Sequence, residues 1–401
     1  MKGIKSHTGY SGCDKCVQSG EYIAHRMTFP DCHASVRTDD EFKNYDDWDH
    51  HIGQSPLTET GVGMVSQFPH DYMHLACLGV MRRLFSYWLK GPLCCRLPGR
   101  LVEQLSARLV ALRPHMPVEF ARKPRALKEL DRWKAVEFRQ FLLYTGPVML
   151  IGVVQDQIYN NFMLFSVALF ILSSAAFSST HCSYAGELLV AFVEHCKQLY
   201  GVENIVYNVH GLVHLADDVR RHGPVHMFSG FPFENYLGTL KKLVRKAHLP
   251  LSQVVRRLLE MESVKLFPCD IFDDSIQYGS LHSNGPVPQQ LQPCDAQYKQ
   301  VVLPSFTVKL SDGDNCINVG GSSVGLVRNI VVYRGETFLV YDEFRLLRNL
   351  FTYPCQSSDL QIYVVSNFLG FLQCVKLNET IAKCVIFPHG YEFVAVPLLH
   401  V

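Results

Sequence analysis

The sequence predicts an α+β protein, a mainly helical region followed by a small all-β barrel or sandwich. Apolar residues recur every three to four positions through residues 61–265 and every second position after residue 295, and a stretch rich in Asp, Ser, Gly, Pro and Gln lies between. Hydrophobic residues make up 48% and charged residues 19%, the balance of a globular chain and not of a disordered one. Four parts follow: a Cys/His-rich loop segment (1–60), a helical region (61–265), a linker (266–294) and a β domain (295–401).

The first part has little periodicity, so something other than a core must hold it. His7, Cys13 and Cys16 form His-x5-Cys-x2-Cys, and thiolate and imidazole donors of this kind bind structural zinc. The same residues also read as unliganded loop positions, and no fourth ligand is assigned.

The helical region opens with FPHDYMHLACLGVMRRLFSYWLK (68–90), where Pro69 and Asp71 mark a helix start, Leu75, Leu78, Leu84, Phe85 and Trp88 share a face, and Gly91-Pro92 ends it. Asp71 and His74 stand one turn apart, which suits a helix cap with a first-turn carboxylate–imidazole contact. Helices separated by Pro114, Pro117 and Pro124 follow; their basic residues around Trp133 are diluted by Glu129, Asp131 and Glu137, as on a solvated face. Ile158–Phe177 is apolar on nearly every side and is placed at the centre of the domain, with Tyr184–Tyr200 beside it. His210 and His214 have metal-ligand spacing, but Gly211 stands where a zinc peptidase carries its general base. Pro232 can open a helix whose expected buried stripe is Phe233, Leu237, Leu240 and Val244, and a second helix runs from about Leu251 to Val264. No acid lies between Glu234 and Glu260, while Lys241, Lys242, Arg245, Lys246, Arg256 and Arg257 do, and these six are the candidate nucleic-acid contacts. Beyond the linker, about eight short β-branched or aromatic runs are punctuated by Asp312-Gly313, Gly320-Gly321 and Arg334-Gly335.

Net charge is only +1, so attraction for nucleic acid has to be local. The fourteen scattered cysteines read as thiols in a reducing compartment. The residues after Met1 have no apolar core of the kind a secretory signal needs, and the longest uncharged apolar run, Phe162–Phe177, has 16 residues against the roughly 20 a membrane span requires. An intracellular protein, without membrane contact, is expected.

GYSGCDKC, HHIGQSPL, FPHDYMHLACLGVMRRL, FRQFLLYTGP, NVHGLVHLADDV and FSGFPFENYLGTLKKLVR together resemble the catalytic half of animal-type CACTA (En/Spm-like) DNA transposases. The resemblance covers most of residues 1–262 and implies an RNase H-like domain, a nuclear location, DNA as partner and a metal-dependent reaction. It makes Glu234 the third acid of a two-metal centre, Asp71 and His74 a supporting motif, and Cys13 and Cys16 the family's cysteine pair. Two divalent ions need shared acidic ligands. The family's first two acids lie upstream of the segment like His7–Tyr10, which begins six residues after Met1, so both are expected to be missing. Magnesium or manganese would then bind only if those acids were supplied. The resulting expectation is a truncated, transposase-derived protein that keeps a DNA-binding surface without self-sufficient strand cleavage, and with no small-molecule substrate evident. Two alternatives are a protein-interaction protein acting through the β domain and a zinc-dependent hydrolase built on His210 and His214.

Overall fold

The computed structural model describes residues 2–265, 276–377 and 380–399. The chain opens with loops and a two-stranded hairpin, β1 (Glu21–Ile23) and β2 (Arg26–Thr28), then α1 (Asp39–Asn44), whose start carries a full capping box between Thr38 and Glu41. Helix α2 is wound as a π-helix over Met73–Met81 and as an α-helix over Arg82–Lys90; Asp71 accepts from the Met73 N–H at 3.0 Å at its start. Next come α3 (Gly99–Ala111), α4 (Ala135–Gln140) and α5 (Gly146–Met149), the last two joined by a π-turn over Phe141–Thr145.

The apolar run splits at Ser174, which leaves helical geometry and accepts from the Phe177 N–H, so α6 (Asp156–Ser173) ends where α7 (Ala175–Tyr200) is capped. As expected from its all-round hydrophobicity, α6 is buried from Asn161 to Ser173. Then follow α8 (Tyr207–Gly211), α9 (Leu215–His222), α10 (Phe231–Leu243) and α11 (Pro250–Lys265). Phe85, Trp88, Phe138, Phe141, Phe162 and Phe165 are at the centre of this core.

The β part contains β3 (Gln277–His282), β4 (Ala296–Val302), β5 (Thr307–Lys309), β6 (Cys316–Val319), β7 (Ser323–Tyr333), β8 (Glu336–Asn349), β9 (Tyr363–Lys376), β10 (Ile381–His389) and β11 (Glu392–Pro397). All pairings are antiparallel. β6 pairs β7, β7 pairs β8, β8 pairs β9, β9 pairs β11, β11 pairs β10 and β10 pairs β6, so six strands close on themselves as a barrel; β4 adds to the side of β7 and carries β3 and β5. Residues 277–282, within the expected linker, therefore form a strand, because its backbone completes a ladder with β4 although its side chains are mostly exposed. The first part of the expected linker, residues 266–275, lies outside the described residues.

Barrel and helices share one core. Along β10, Cys384 and Ile386 face the barrel interior while Val385 and Phe387 pack into the helical core; along β11, Ala395 faces inward while Val394 and Val396 face the helices. That accounts for the unbroken apolar run Cys384–Phe387: a strand buried on both faces loses the polar half of its alternation. At the junction Lys383, fully buried, reaches Glu119 Oε2 at 2.7 Å, Asp314 Oδ1 at 2.6 Å and the Thr307 carbonyl at 2.6 Å. Glu119 also accepts from the Thr307 N–H and Asp314 from the Val118 N–H, so each carboxylate bridges the two parts.

No helix among the described residues is long and apolar enough to cross a membrane.

Candidate metal centre

Cys13 and Cys16 sit on a loop that turns back on itself. A side chain at Gly12 would place its Cβ 2.5 Å from the Ser6 carbonyl oxygen, so only glycine lets the loop close this tightly. The far side is pinned by the Val17 N–H to Ser35 O bond, the Arg37 N–H to Lys15 O bond and the Arg37 guanidinium, which donates to the Cys13 carbonyl at 3.1 Å. His210 and His214 come from α8 and the single 3-10 turn Leu212–His214 after it, where spacing of four residues puts both rings on one side.

These four residues meet, all buried, with their ligand atoms within 4.8 Å of one another. His210 Nε2 lies 3.3 Å from His214 Nε2 and 3.3 Å from Cys16 Sγ, and His214 Nε2 lies 3.7 Å from Cys13 Sγ. A tetrahedral zinc ion with Zn–N of about 2.05 Å and Zn–S of about 2.3 Å requires roughly 3.3 Å between nitrogens and roughly 3.6 Å from nitrogen to sulfur. These three separations lie within about 0.3 Å of that geometry. The donor set also fits chemically. A hydrogen bond with Cys13 holds the Cys16 thiol below its usual pKa against the opposing effect of burial, and burial lowers that of His214, so thiolate and neutral imidazole, the forms that bind metal, are favoured. The side-chain amide of Gln18 lies 3.2 Å from Nδ1 of His210, where it fixes the ring.

Four protein donors leave no position for a water, so a hydrolytic zinc does not suit this site. Gly211 supplies a further reason: a Cβ there would come within 2.8 Å of Leu75 Cδ1, and the space a general base would need is filled by α2.

A second buried layer lies against the centre. The Lys15 ammonium contacts Asp218 Oδ1 at 2.7 Å with both side chains buried, and it donates to the Val65 carbonyl. Asp218 also accepts from the His70 N–H at 2.8 Å and contacts His70 Nδ1 at 3.2 Å, while Tyr207 donates its hydroxyl hydrogen to Asp14 at 2.7 Å. Burial opposes charge on both members of the His70–Asp218 pair. Their mutual attraction, with Asp14 and Lys15, outweighs it, raising His70 to about 9 and lowering Asp218 to about 2. The His70 ring stacks near His214 at 6.1 Å and 9°. The metal-ligand loop and α8–α9 are thus joined by an ion network as well as by the four donors.

His7 is not part of the cluster. It is exposed and faces the Tyr207 ring at 6.1 Å, because the chain turns at Ser6–Gly9 before it enters the cysteine loop. The fourth-ligand gap and the unexplained histidine pair resolve each other: a Cys-x2-Cys short of two donors and a His-x3-His short of two donors occur in one chain. That complementarity was the available signal.

The other motif segments meet elsewhere. Asp71 contacts His74 Nδ1 and accepts from the Gly230 N–H at 2.7 Å. It therefore ties the start of α2 to the turn from which α10 and Glu234 emerge. Arg139 stacks over the Phe231 ring at 4.6 Å and adds a second anchor. Beyond Phe231 the helix is on the surface. Glu234 is exposed, and the expected buried stripe is not buried among the described residues: Phe233 is 70% and Leu237 56% exposed, with Leu240 and Val244 only partly covered. Lys241, Lys242, Arg245 and Lys246 are exposed without a carboxylate partner among the described residues, whereas Arg256 and Arg257 both pair with Glu260. The earlier basic segment is structural in part, as Arg125 makes a two-pronged contact with buried Glu137 at 2.6 and 2.7 Å.

A family model described as a domain of unknown function (DUF8592) matches residues 281–398, which span the end of β3 and the whole barrel. No curated protein and no solved structure matches the chain.

Proposed function

We propose that the chain is a transposase-derived DNA-binding protein whose N-terminal segment is fastened to its helical body by a structural zinc ion on Cys13, Cys16, His210 and His214. The observation that carries the metal part is the buried set of four donors within 4.8 Å of one another, three of whose separations are near tetrahedral values, drawn from segments almost 200 residues apart. The transposase part rests on the motif resemblance and is supported by the meeting of Asp71 with Gly230, which brings the Asp-x-x-His segment to the base of the helix that bears Glu234. On this reading the helical body is what remains of an RNase H-like domain, the protein works in the nucleus, and Glu234 is the third acid. Magnesium or manganese chemistry there needs partner acids supplied from outside the described cluster, so self-sufficient cleavage is not part of the proposal.

The DNA-contacting surface is the acid-poor run of α10 and its exit, Lys241, Lys242, Arg245 and Lys246. Each phosphate contact releases counterions, and the slope of log affinity against log salt is about −0.9 per contact on duplex DNA. Duplex binding measured from about 50 to 200 mM salt should weaken steeply for the native chain. Replacing the four residues by Gln should reduce the slope by roughly three to four. A slope unchanged by the quadruple substitution contradicts the assignment, and negligible duplex affinity at about 50 mM salt favours a protein-interaction role for the barrel instead.

A further inference from the structure

Between the N-terminal hairpin and the helices lies an open cleft of about 550 Å³ whose lining includes His7, Tyr22, His25, Arg26, Arg83 and Asn208 and no carboxylate. One wall is the β1–β2 hairpin and the residues around His7; the other is α8 with Arg83 of α2. The Cys2His2 cluster fastens these walls together, since Cys13 and Cys16 belong to the first and His210 to the second.

Three observations point to a ligand. Arg26 and Arg83 have no acidic partner among the described residues; they donate instead to neutral oxygens, Arg26 to Asn204 Oδ1 and Arg83 to the Tyr87 hydroxyl at 3.4 Å. Two guanidinium groups on a shared concave surface, without a carboxylate partner among the described residues, are matched by an anion with several oxygens. Tyr22 stands 60% exposed at the mouth with His25 edge-on to it at 6.4 Å, an aromatic surface on which a base can stack. Finally, the two-residue turn of the hairpin holds Ala24 at φ 46° and His25 at φ 62°, positions that Gly or Asn fills at lower cost. The strain is retained where it delivers His25 to the cleft, as strained backbone often is at functional sites.

We propose that this cleft binds the phosphate of a nucleotide unit, with Arg26 and Arg83 on the phosphate oxygens and Tyr22 against the base. The site is separate from the basic run of α10, so either can fail without the other. It should be tested on the full-length chain by fluorescence anisotropy with a short single-stranded DNA, competed by inorganic pyrophosphate and by a deoxynucleoside triphosphate. Arg26→Gln, Arg83→Gln and Tyr22→Ala should each weaken the oligonucleotide about tenfold, and each Arg substitution should lower the salt slope by about 0.7 on a single strand. Competition by the triphosphate as strong as that by unlabelled oligonucleotide identifies a free nucleotide as the source; weak competition identifies a strand. Tyr22 is exposed and Arg83→Lys retains charge, so a folding defect in one variant does not obscure the result. Affinity for every probe unchanged in Arg83→Gln and Tyr22→Ala, with the fold intact by circular dichroism, overturns the proposal.

Discussion

With zinc held as proposed on Cys13, Cys16, His210 and His214, chelating it should release the N-terminal segment while the helical body stays folded. The segment around the cysteines has a small core of its own, Cys13, Cys16 and Phe29, with Met27, Ala34 and Tyr207 packed beside it. Burying a side chain the size of Phe29 contributes about 2–3 kcal/mol. A structural zinc contributes on the order of 10 kcal/mol or more in small zinc-binding peptides, which is comparable with the whole stability of a typical domain, about 5–15 kcal/mol. The metal term therefore dominates locally, and its loss leaves two thiols and two imidazoles buried together. The helical core, with its run of buried residues from Phe162 to Leu172, does not depend on it. Hydrogen exchange on the chain before and after treatment with a strong chelator reads this directly. The Val17, Phe29 and Arg37 amides, which donate to Ser35, Ile205 and Lys15, should lose protection, and amides of α6 should keep theirs. Unchanged protection at Val17 and Arg37 after verified metal removal would refute the reasoning.

Two further expectations concern the junctions. Lys383→Ala strands Glu119 and Asp314 in a buried site, so chemical denaturation should show a loss of about 3–5 kcal/mol, and a loss below about 1 kcal/mol would mean that the cluster does not hold the barrel to the helices. Asp71→Ala removes acceptors from both Met73 and Gly230 and should cost about 1–3 kcal/mol, with faster hydrogen exchange in 229–235 than in α6; equal exchange in native and variant chains would show that Asp71 does not anchor α10.

Much of the fold was legible because the local rules agreed with the global one. The two periodicities located the helical and β parts, the Asp71 cap and the Gly91-Pro92 stop bounded α2, and the all-round hydrophobicity of α6 placed it at the centre. What pattern could not give was whatever depends on distant partners. The fusion of barrel and helices is written only as the continuous run of apolar residues in β10, which reads equally as a strand buried within a sandwich. β3 was hidden because a strand defined by its ladder needs no alternation of its own. At the metal centre the cysteines and histidines were each visible as incomplete sets, but nearly 200 residues separate them, and His7 was nearer in sequence. The stripe of α10 misled for a related reason: helical spacing of Phe233, Leu237 and Leu240 states that a face is apolar and not that this chain covers it.

The central claim is that one ion on Cys13, Cys16, His210 and His214 closes the fold. Zinc content measured by elemental analysis on the purified chain, alongside the visible spectrum after cobalt(II) substitution, tests it most directly. The account expects one equivalent per chain in a tetrahedral site with two thiolates, lost alike in Cys16→Ser and His210→Ala and retained in His7→Ala. Metal that is retained in His210→Ala, or lost in His7→Ala, would contradict it.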